Sequence, residues 1–185
     1  DDEYTLLDER FLSAPAVALE VTGAAFSRMC DMAFGQFELA LAQCGKYESH
    51  RQKEIERCEA LWRRYEQSLS EYLVKLSGKR MHVATAAQVS RLLLTLPDVT
   101  RVGERAVSLA AAADEHQKSG VQLSATAREE LAMLRDAIGE LAGHTKAAFV
   151  EGKAHRAQKA VALADVLLDV CNDLRRRHKG TLEEL

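Results

Sequence analysis

The sequence predicts an all-α protein, an antiparallel, up-and-down bundle of five long helices. Alanine and leucine recur throughout its 185 residues, whereas aromatic residues make up 5% and proline occurs twice. This composition favours helices over strands. Apolar residues recur three and four positions apart, and breaks that contain glycine leave five uninterrupted segments between them. Because the predicted turns are short, consecutive helices are expected to run in opposite directions.

The first two predicted helices carry the most extensive apolar faces. The first covers residues 14–44, with Ser13 as its N-cap. Its apolar positions form two stripes, so it is expected to contact two neighbours: Phe26, Cys30, Ala33, Phe37, Leu41 and Cys44, and Val17, Val21, Ala25, Met29 and Met32. The second helix, residues 48–76, has one stripe, in which the aromatic residues are predicted to be core: Ile55, Cys58, Trp62, Tyr65, Leu69, Tyr72 and Leu76.

The third predicted helix covers residues 83–117 and contains a proline. Pro97 removes a backbone donor and clashes with the preceding turn, so a kink or a break is expected there. Small residues in the second half of the helix should allow a neighbouring helix to approach closely. The predicted buried positions are Val89, Leu92, Leu96, Val99, Gly103, Ala106, Ala110 and Ala113.

The last two predicted helices cover residues 124–150 and 153–178. Thr126 and Glu129 fit a capping box for the fourth helix, with Ser124 as the competing cap. The basic run Arg175–Lys179 is placed at the C-terminal end of the fifth helix, where the helix dipole favours cations. The predicted buried positions are Leu131, Leu134, Ile138, Leu141, Thr145 and Ala148 in the fourth helix, and Ala160, Leu163, Leu167, Cys171 and Leu174 in the fifth.

Composition and motifs argue against several classes of function. A net charge of −3 gives no long-range attraction for nucleic acid or an anionic membrane, and no apolar run is long enough to span a bilayer. Nucleotide-binding loops, hydrolase nucleophile elbows and histidine spacings typical of zinc sites do not occur. The four separated cysteines are expected to be reduced core thiols. We therefore expect a non-catalytic protein that acts by binding a partner.

Three segments resemble a known family. They are LLDERFLSAPAVALE at the start, EYLVKLSGK at the end of the second helix, and DVTRVGERAVSLA in the third. In this order they resemble the cytosolic PhoU-like domain that follows the membrane part of bacterial sodium/phosphate cotransporters. The resemblance covers essentially the whole chain and is most specific at Asp98–Leu109. It implies a regulatory role in phosphate uptake on the cytoplasmic side of the inner membrane, with the transporter's membrane domain or another regulatory protein as the partner.

The family also implies a domain organisation, two three-helix bundles in tandem. Residues 1–120 would form the first bundle, and residues 121–185 a second, incomplete repeat that lacks its last helix. A pair of helices leaves an apolar groove, which we expect to be filled by the third helix or by a second copy of the chain in a homodimer. Because the chain begins with Asp1, it is expected to be a piece of a longer chain. The resemblance implies that this longer chain is a membrane protein.

Several members of the family hold metal clusters through ExxxD motifs, in which two carboxylates share one helix face. In the third helix this acid pair falls on Thr100 and Glu104, so one ligand is lost. Asp98, Arg101 and Gly103 are, with Glu104, the remnant of the family motif. In the second helix the pair falls on Glu59 and Arg63, and a guanidinium cannot bind a cation. The first bundle is therefore expected to have lost its metal site.

The fifth helix keeps the spacing, with Asp165 and Asp169 four residues apart and Asp173 one turn further on. These acids are either a solvated face or, together with Glu104, ligands of a divalent transition metal. No other cofactor is expected. The leading hypothesis is a PhoU-like regulatory domain, and the alternative is a helical adaptor or dimerisation module unrelated to phosphate.

Overall fold

The computed structural model of the chain describes the backbone of residues 7–150 and 153–183 and the side chains of residues 7–149 and 153–177. Five long helices account for most of it: α1 (Pro15–Gly45), α2 (Ser49–Ser77), α3 (Val83–Ser119), α4 (Ala125–Val150) and α5 (Ala154–Glu183). No strand occurs in this part of the chain. The prediction of an all-α fold is confirmed. The chain divides into two compact units, Asp1–Gly120 and Val121–Leu185.

The first unit is a three-helix arrangement in which each helix packs against the other two. A short 3-10 helix, Glu9–Ser13, precedes α1. It is fastened to the end of α2, because the hydroxyl of Tyr72 donates to the carbonyl of Asp8 over 3.0 Å and the Lys75 ammonium lies 2.6 Å from the Glu9 carboxylate. The entry to α1 and the end of α2 therefore lie side by side.

The core of the first unit largely follows the predicted stripes. On α2 all predicted positions are buried except Cys58, which is half-buried, and Leu73 joins them. On α1 the second stripe starts later than expected, because Val17 is 44% exposed. The periodicity gave no indication of three buried polar side chains on α1, Thr22, Gln36 and Gln43.

Two predicted helix starts are corrected. Ala14, not Ser13, occupies the N-cap of α1, where the Ser13 hydroxyl instead donates to the Arg10 carbonyl. Pro15 at the first helical position has no backbone N–H, so one fewer hydrogen-bond acceptor is needed at this helix start. At α4 the backbone N–H of Ala127 donates to the Ser124 hydroxyl over 3.1 Å, so Ser124 is the cap and the Thr126 capping box is wrong.

Helix α3 is continuous through Pro97. Of the two expected effects of this proline, a break is therefore excluded. Leu96 and Val99, on either side of the proline, are both buried in the first unit. The helix ends at Gly120, whose φ of 67° places it in the left-handed region that glycine adopts without strain.

The second unit consists of α4 packed against α5. An Arg156 guanidinium nitrogen lies 2.9 Å from His144 Nδ1, and Arg177 lies 3.0 Å from Glu130. Ala142, Ala160, Leu167 and Leu174 are buried, but Leu131, predicted to be core, is 36% exposed because two helices cannot enclose every apolar position. Helix α5 continues to Glu183, so the basic run is not its last turn. No described helix is long and apolar enough to cross a membrane.

Candidate functional site

The motif remnant on α3 divides between the surface and the core. Asp98 and Arg101 are exposed and form an ion pair with each other three residues apart. Glu104 is also exposed, whereas Gly103 is buried. The three charged residues are therefore available for contact with a partner, and the glycine serves packing within the unit.

Gly103 lies where all three helices of the first unit meet. A Cβ atom at this position would come within 2.6 Å of two ring carbons of Trp62 on α2. The Trp62 indole N–H donates to Gln36 Oε1 on α1 over 2.6 Å, and Gln36 Nε2 donates to the Ile55 carbonyl over 2.8 Å. Trp62 and Gln36 are fully buried. The missing side chain of Gly103 thus makes room for the indole, which in turn is oriented by a buried amide.

In the first unit, the residues at the positions of the family's metal-binding acid pairs make contacts within the protein. The Thr100 hydroxyl donates to the Leu96 carbonyl over 3.1 Å. Arg63 lies 2.8 Å from the Glu59 carboxylate and stacks 4.8 Å from the centre of the Trp62 ring. The cation beside the Glu59 carboxylate is therefore the Arg63 guanidinium.

The acidic stripe of α5 is exposed. Asp165, Asp169 and Asp173 all face solvent, and Asp173 forms an ion pair with Arg176. Asp169 and Asp173 border a groove with Asn172, Arg175 and Arg176. Groups of three or more metal-ligating side chains are not found among the described residues. Glu104 belongs to the other unit, so its place in a metal site with the aspartates stays a prediction.

Polar contacts also fix the end of the first unit around the α1–α2 turn. The Gln43 side chain exchanges two hydrogen bonds with the backbone of Glu48, at 3.1 and 2.9 Å. Tyr47 donates to Asp114 on α3 over 2.8 Å, and Lys118 binds the other oxygen of that carboxylate at 2.6 Å. These contacts hold the turn against the last part of α3.

Hydrogen bonds and burial shift the pKa values of three groups in the first unit, Tyr47, Asp114 and Cys58. The hydrogen bond to Asp114 raises the pKa of Tyr47, and the hydrogen bonds from Lys118 and Tyr47 lower the pKa of Asp114. Burial raises the pKa of the Cys58 thiol. All four cysteines are thiols that take no part in a disulfide. A thiol or phenol with a raised pKa stays protonated at neutral pH, so these groups favour structural roles.

Sequence reasoning placed Trp62 and Gly103 in the core but missed Gln36, the residue that connects them. A glutamine between the apolar positions Ala33 and Ala40 of α1 is the signal that could have indicated a buried hydrogen bond. Sequence reasoning also gave no indication of the contacts of His144, which is 11% exposed at its side chain and lies against Arg156 and Glu140. Comparisons with family models, curated proteins and solved structures gave no match.

Proposed function

We propose that this chain is a non-catalytic, PhoU-like regulatory domain of a sodium/phosphate cotransporter. It acts by protein–protein contact on the cytoplasmic side of the inner membrane, on the transporter's membrane domain or on another regulatory protein. The observation that carries the proposal is the pattern DVTRVGERAVSLA on α3, the part of the chain that most specifically resembles the family.

The packing around this pattern supports the proposal. Gly103 is the one glycine of the pattern, and the Trp62 indole occupies the space that a side chain there would need. Its polar positions Asp98, Arg101 and Glu104 lie on the exposed side of the same helix. One short segment therefore combines a close helix–helix contact with a charged surface, an arrangement suited to passing a packing change to a partner.

The proposed arrangement of the first unit is an antiparallel bundle, the first of the two repeats. Contacts at its two ends support this arrangement. Near the α1–α2 turn, Tyr47 contacts Asp114 in the last part of α3. At the other end, Tyr72 near the end of α2 contacts Asp8 just before α1.

Removing the chain from its parent protein tests the function. Cells that carry an in-frame deletion of residues 1–185 should still produce the rest of the protein, but the rate of labelled-phosphate uptake should no longer respond normally to phosphate starvation. The control is a strain that produces the full protein at the same level. Uptake and regulation identical to the control would refute the proposal.

The alternative function is a dimerisation or adaptor module unrelated to phosphate, and one observation favours it. Val161 and Leu168, seven residues apart on one face of α5, are each 63% exposed. If this face joins two copies, Val161→Ser/Leu168→Ser should convert a dimer into a monomer in light scattering. The sequence that precedes residue 1 separates the two functions, because the transporter hypothesis requires membrane-spanning segments there.

A further inference from the structure

The charge of the chain is distributed unevenly. Its net charge is −3, yet residues 72–97 contain no aspartate or glutamate. The same stretch contains four cationic residues: Lys75, Lys79, Arg80 and Arg91. It covers the end of α2, the α2–α3 turn and the first four turns of α3. Asp8 and Glu9 also lie at this end, but Arg10 and Lys75 pair with them. The remaining cations therefore give a local positive potential there, although the chain as a whole is acidic.

Exposed apolar side chains lie within this cationic stretch. Val83 is 88% exposed and Leu94 is 77% exposed. They are three helical turns apart and share one face of α3 with Ala87 and Ser90, which are also exposed. The buried positions Val89 and Leu96 lie on the opposite face. Three of these four side chains are apolar, and the face points away from the core of the unit.

Cations flank the apolar face. Lys79 and Arg80 lie in the turn just before it and are exposed, and Arg91 lies beside Leu94. Lys75 is engaged by Glu9, and Arg91 borders a groove that contains Glu20. Lys79 and Arg80 are therefore the cations best placed to act on a partner outside the chain. We name Lys79, Arg80, Val83, Arg91 and Leu94 the turn surface.

We propose that the turn surface binds the headgroups of an anionic lipid bilayer. Basic residues near such a surface are attracted by its negative potential, and exposed valine and leucine side chains gain by entering the boundary between headgroups and acyl chains. A nucleic acid would use the cations but not the apolar face. The binding is peripheral, which agrees with the lack of a membrane-spanning helix among the described residues.

The inference goes beyond the proposed function, because it follows from charge and exposure and does not depend on phosphate regulation. It also indicates which part of α3 would lie next to the membrane if the proposed function is correct. The exposed face of α3 continues from Leu94 to the ion pair of Asp98 and Arg101. A bilayer that holds the turn surface would therefore lie next to the charged positions of the family motif.

Flotation with lipid vesicles tests the proposal. The purified chain is mixed with phosphatidylcholine vesicles that contain either no anionic lipid or about 30 mol% phosphatidylglycerol. The wild type should bind the anionic vesicles only. Lys79→Glu/Arg80→Glu should weaken this binding at least 25-fold, since each lost basic residue weakens it by roughly fivefold. Higher salt should weaken it as well, because the surface potential is screened.

The matched control is Lys53→Glu/Arg57→Glu, which makes the same change in net charge at exposed positions of α2 that lie among acidic residues. It should bind almost like the wild type. Far-UV circular dichroism checks that both variants keep the helical content of the wild type. Val83→Ser/Leu94→Ser tests the apolar contribution, with Val161→Ser/Leu168→Ser as its control on α5.

Three outcomes would overturn the proposal: no binding of the wild type to anionic vesicles, equal binding to neutral vesicles, or equal loss of binding in the turn variant and its charge-matched control. An acidic protein that binds the turn surface while lipid does not would assign the surface to a different partner. Unchanged phosphate regulation after deletion of the chain, with lipid binding intact, would refute the proposed function alone.

Discussion

Replacing Gly103 by alanine tests the tight contact at the centre of the first unit. The new Cβ would lie 2.6 Å from Trp62 Cε2 and Cζ2 and 3.1 Å from Nε1. Carbon atoms in proteins pack at about 3.5–4.0 Å, so the ring or the helix must move by roughly 1 Å. Trp62 has no free space to move into, because it is fully buried and its N–H is held by Gln36 at 2.6 Å.

The magnitude follows from two destabilising effects and one stabilising effect. Overfilling a packed core costs about 1–3 kcal/mol, and a weakened Trp62–Gln36 hydrogen bond adds about 1 kcal/mol. Alanine is better than glycine inside a helix by up to about 1 kcal/mol. We therefore expect Gly103→Ala to lower the free energy of unfolding by about 1–3 kcal/mol.

Gly35→Ala is the matched control, since a Cβ at Gly35 meets nothing within 4 Å. It should raise stability by about 0.5–1 kcal/mol through helix propensity alone. Urea unfolding followed by tryptophan fluorescence measures both variants. Trp62 is the single tryptophan of the chain, so the signal reports on the first unit.

The reasoning is refuted if Gly103→Ala is as stable as Gly35→Ala, or more stable than the wild type. A double-mutant cycle with Trp62→Phe, followed by circular dichroism, isolates the contact between the two residues. The alanine should cost less in the phenylalanine background, with a coupling energy of about 0.5 kcal/mol or more. If the effects of the two substitutions are strictly additive, the strain does not arise from the contact between residues 103 and 62.

Three further predictions concern helix capping, pH and metal. Ser124→Ala should destabilise the second unit by about 1 kcal/mol in thermal unfolding, whereas Thr126→Ala should have little effect, because the Ser124 hydroxyl accepts the Ala127 N–H. Lys118 and Tyr47 lower the pKa of Asp114 in the folded state, so its stabilising contribution is present above the ordinary aspartate pKa and is lost as the pH falls through the lowered one. Asp114→Asn should therefore show a smaller fall in melting temperature than the wild type between neutral pH and pH about 3. If elemental analysis detects a bound divalent metal, Asp165→Asn/Asp169→Asn should abolish it, and unchanged stoichiometry would place the metal elsewhere.

The helices were predictable because the spacing of apolar residues and the glycine-containing breaks between helices depend on neighbouring residues in the sequence. Trp62 and Leu69 follow the spacing of an amphipathic helix, and both are fully buried. Helix starts were less predictable, because several polar residues near a start can each provide a cap. Residue type favours Ser13 and Thr126 as N-caps, whereas Ala14 and Ser124 occupy those positions.

Burial in the second unit was overestimated for a physical reason. The pattern identifies the apolar side of a helix, but how much of that side is covered depends on the number of neighbouring helices. Leu131 of α4 stays exposed for this reason. The partners of buried polar groups were likewise beyond the pattern, since Gln36 meets Trp62 from 26 residues away.

The charged positions of the candidate site were identified by resemblance, and the structure adds that they are exposed. Asp98 and Arg101 pair on the surface of α3, where an ion pair contributes little to stability. Their substitution should therefore separate function from folding. Gly103 does not offer this separation, because its replacement is expected to disturb the core.

Phosphate uptake in cells whose parent protein carries Asp98→Ala/Arg101→Ala tests the central claim most directly. The control is Arg135→Ala/Asp136→Ala, which removes an ion pair from α4 at positions that belong neither to the motif remnant nor to the acidic stripe of α5. The account predicts that the α3 variant is produced at normal levels but responds abnormally to phosphate starvation, while the control responds like the wild type. Normal regulation in the α3 variant, at normal protein levels, would contradict it.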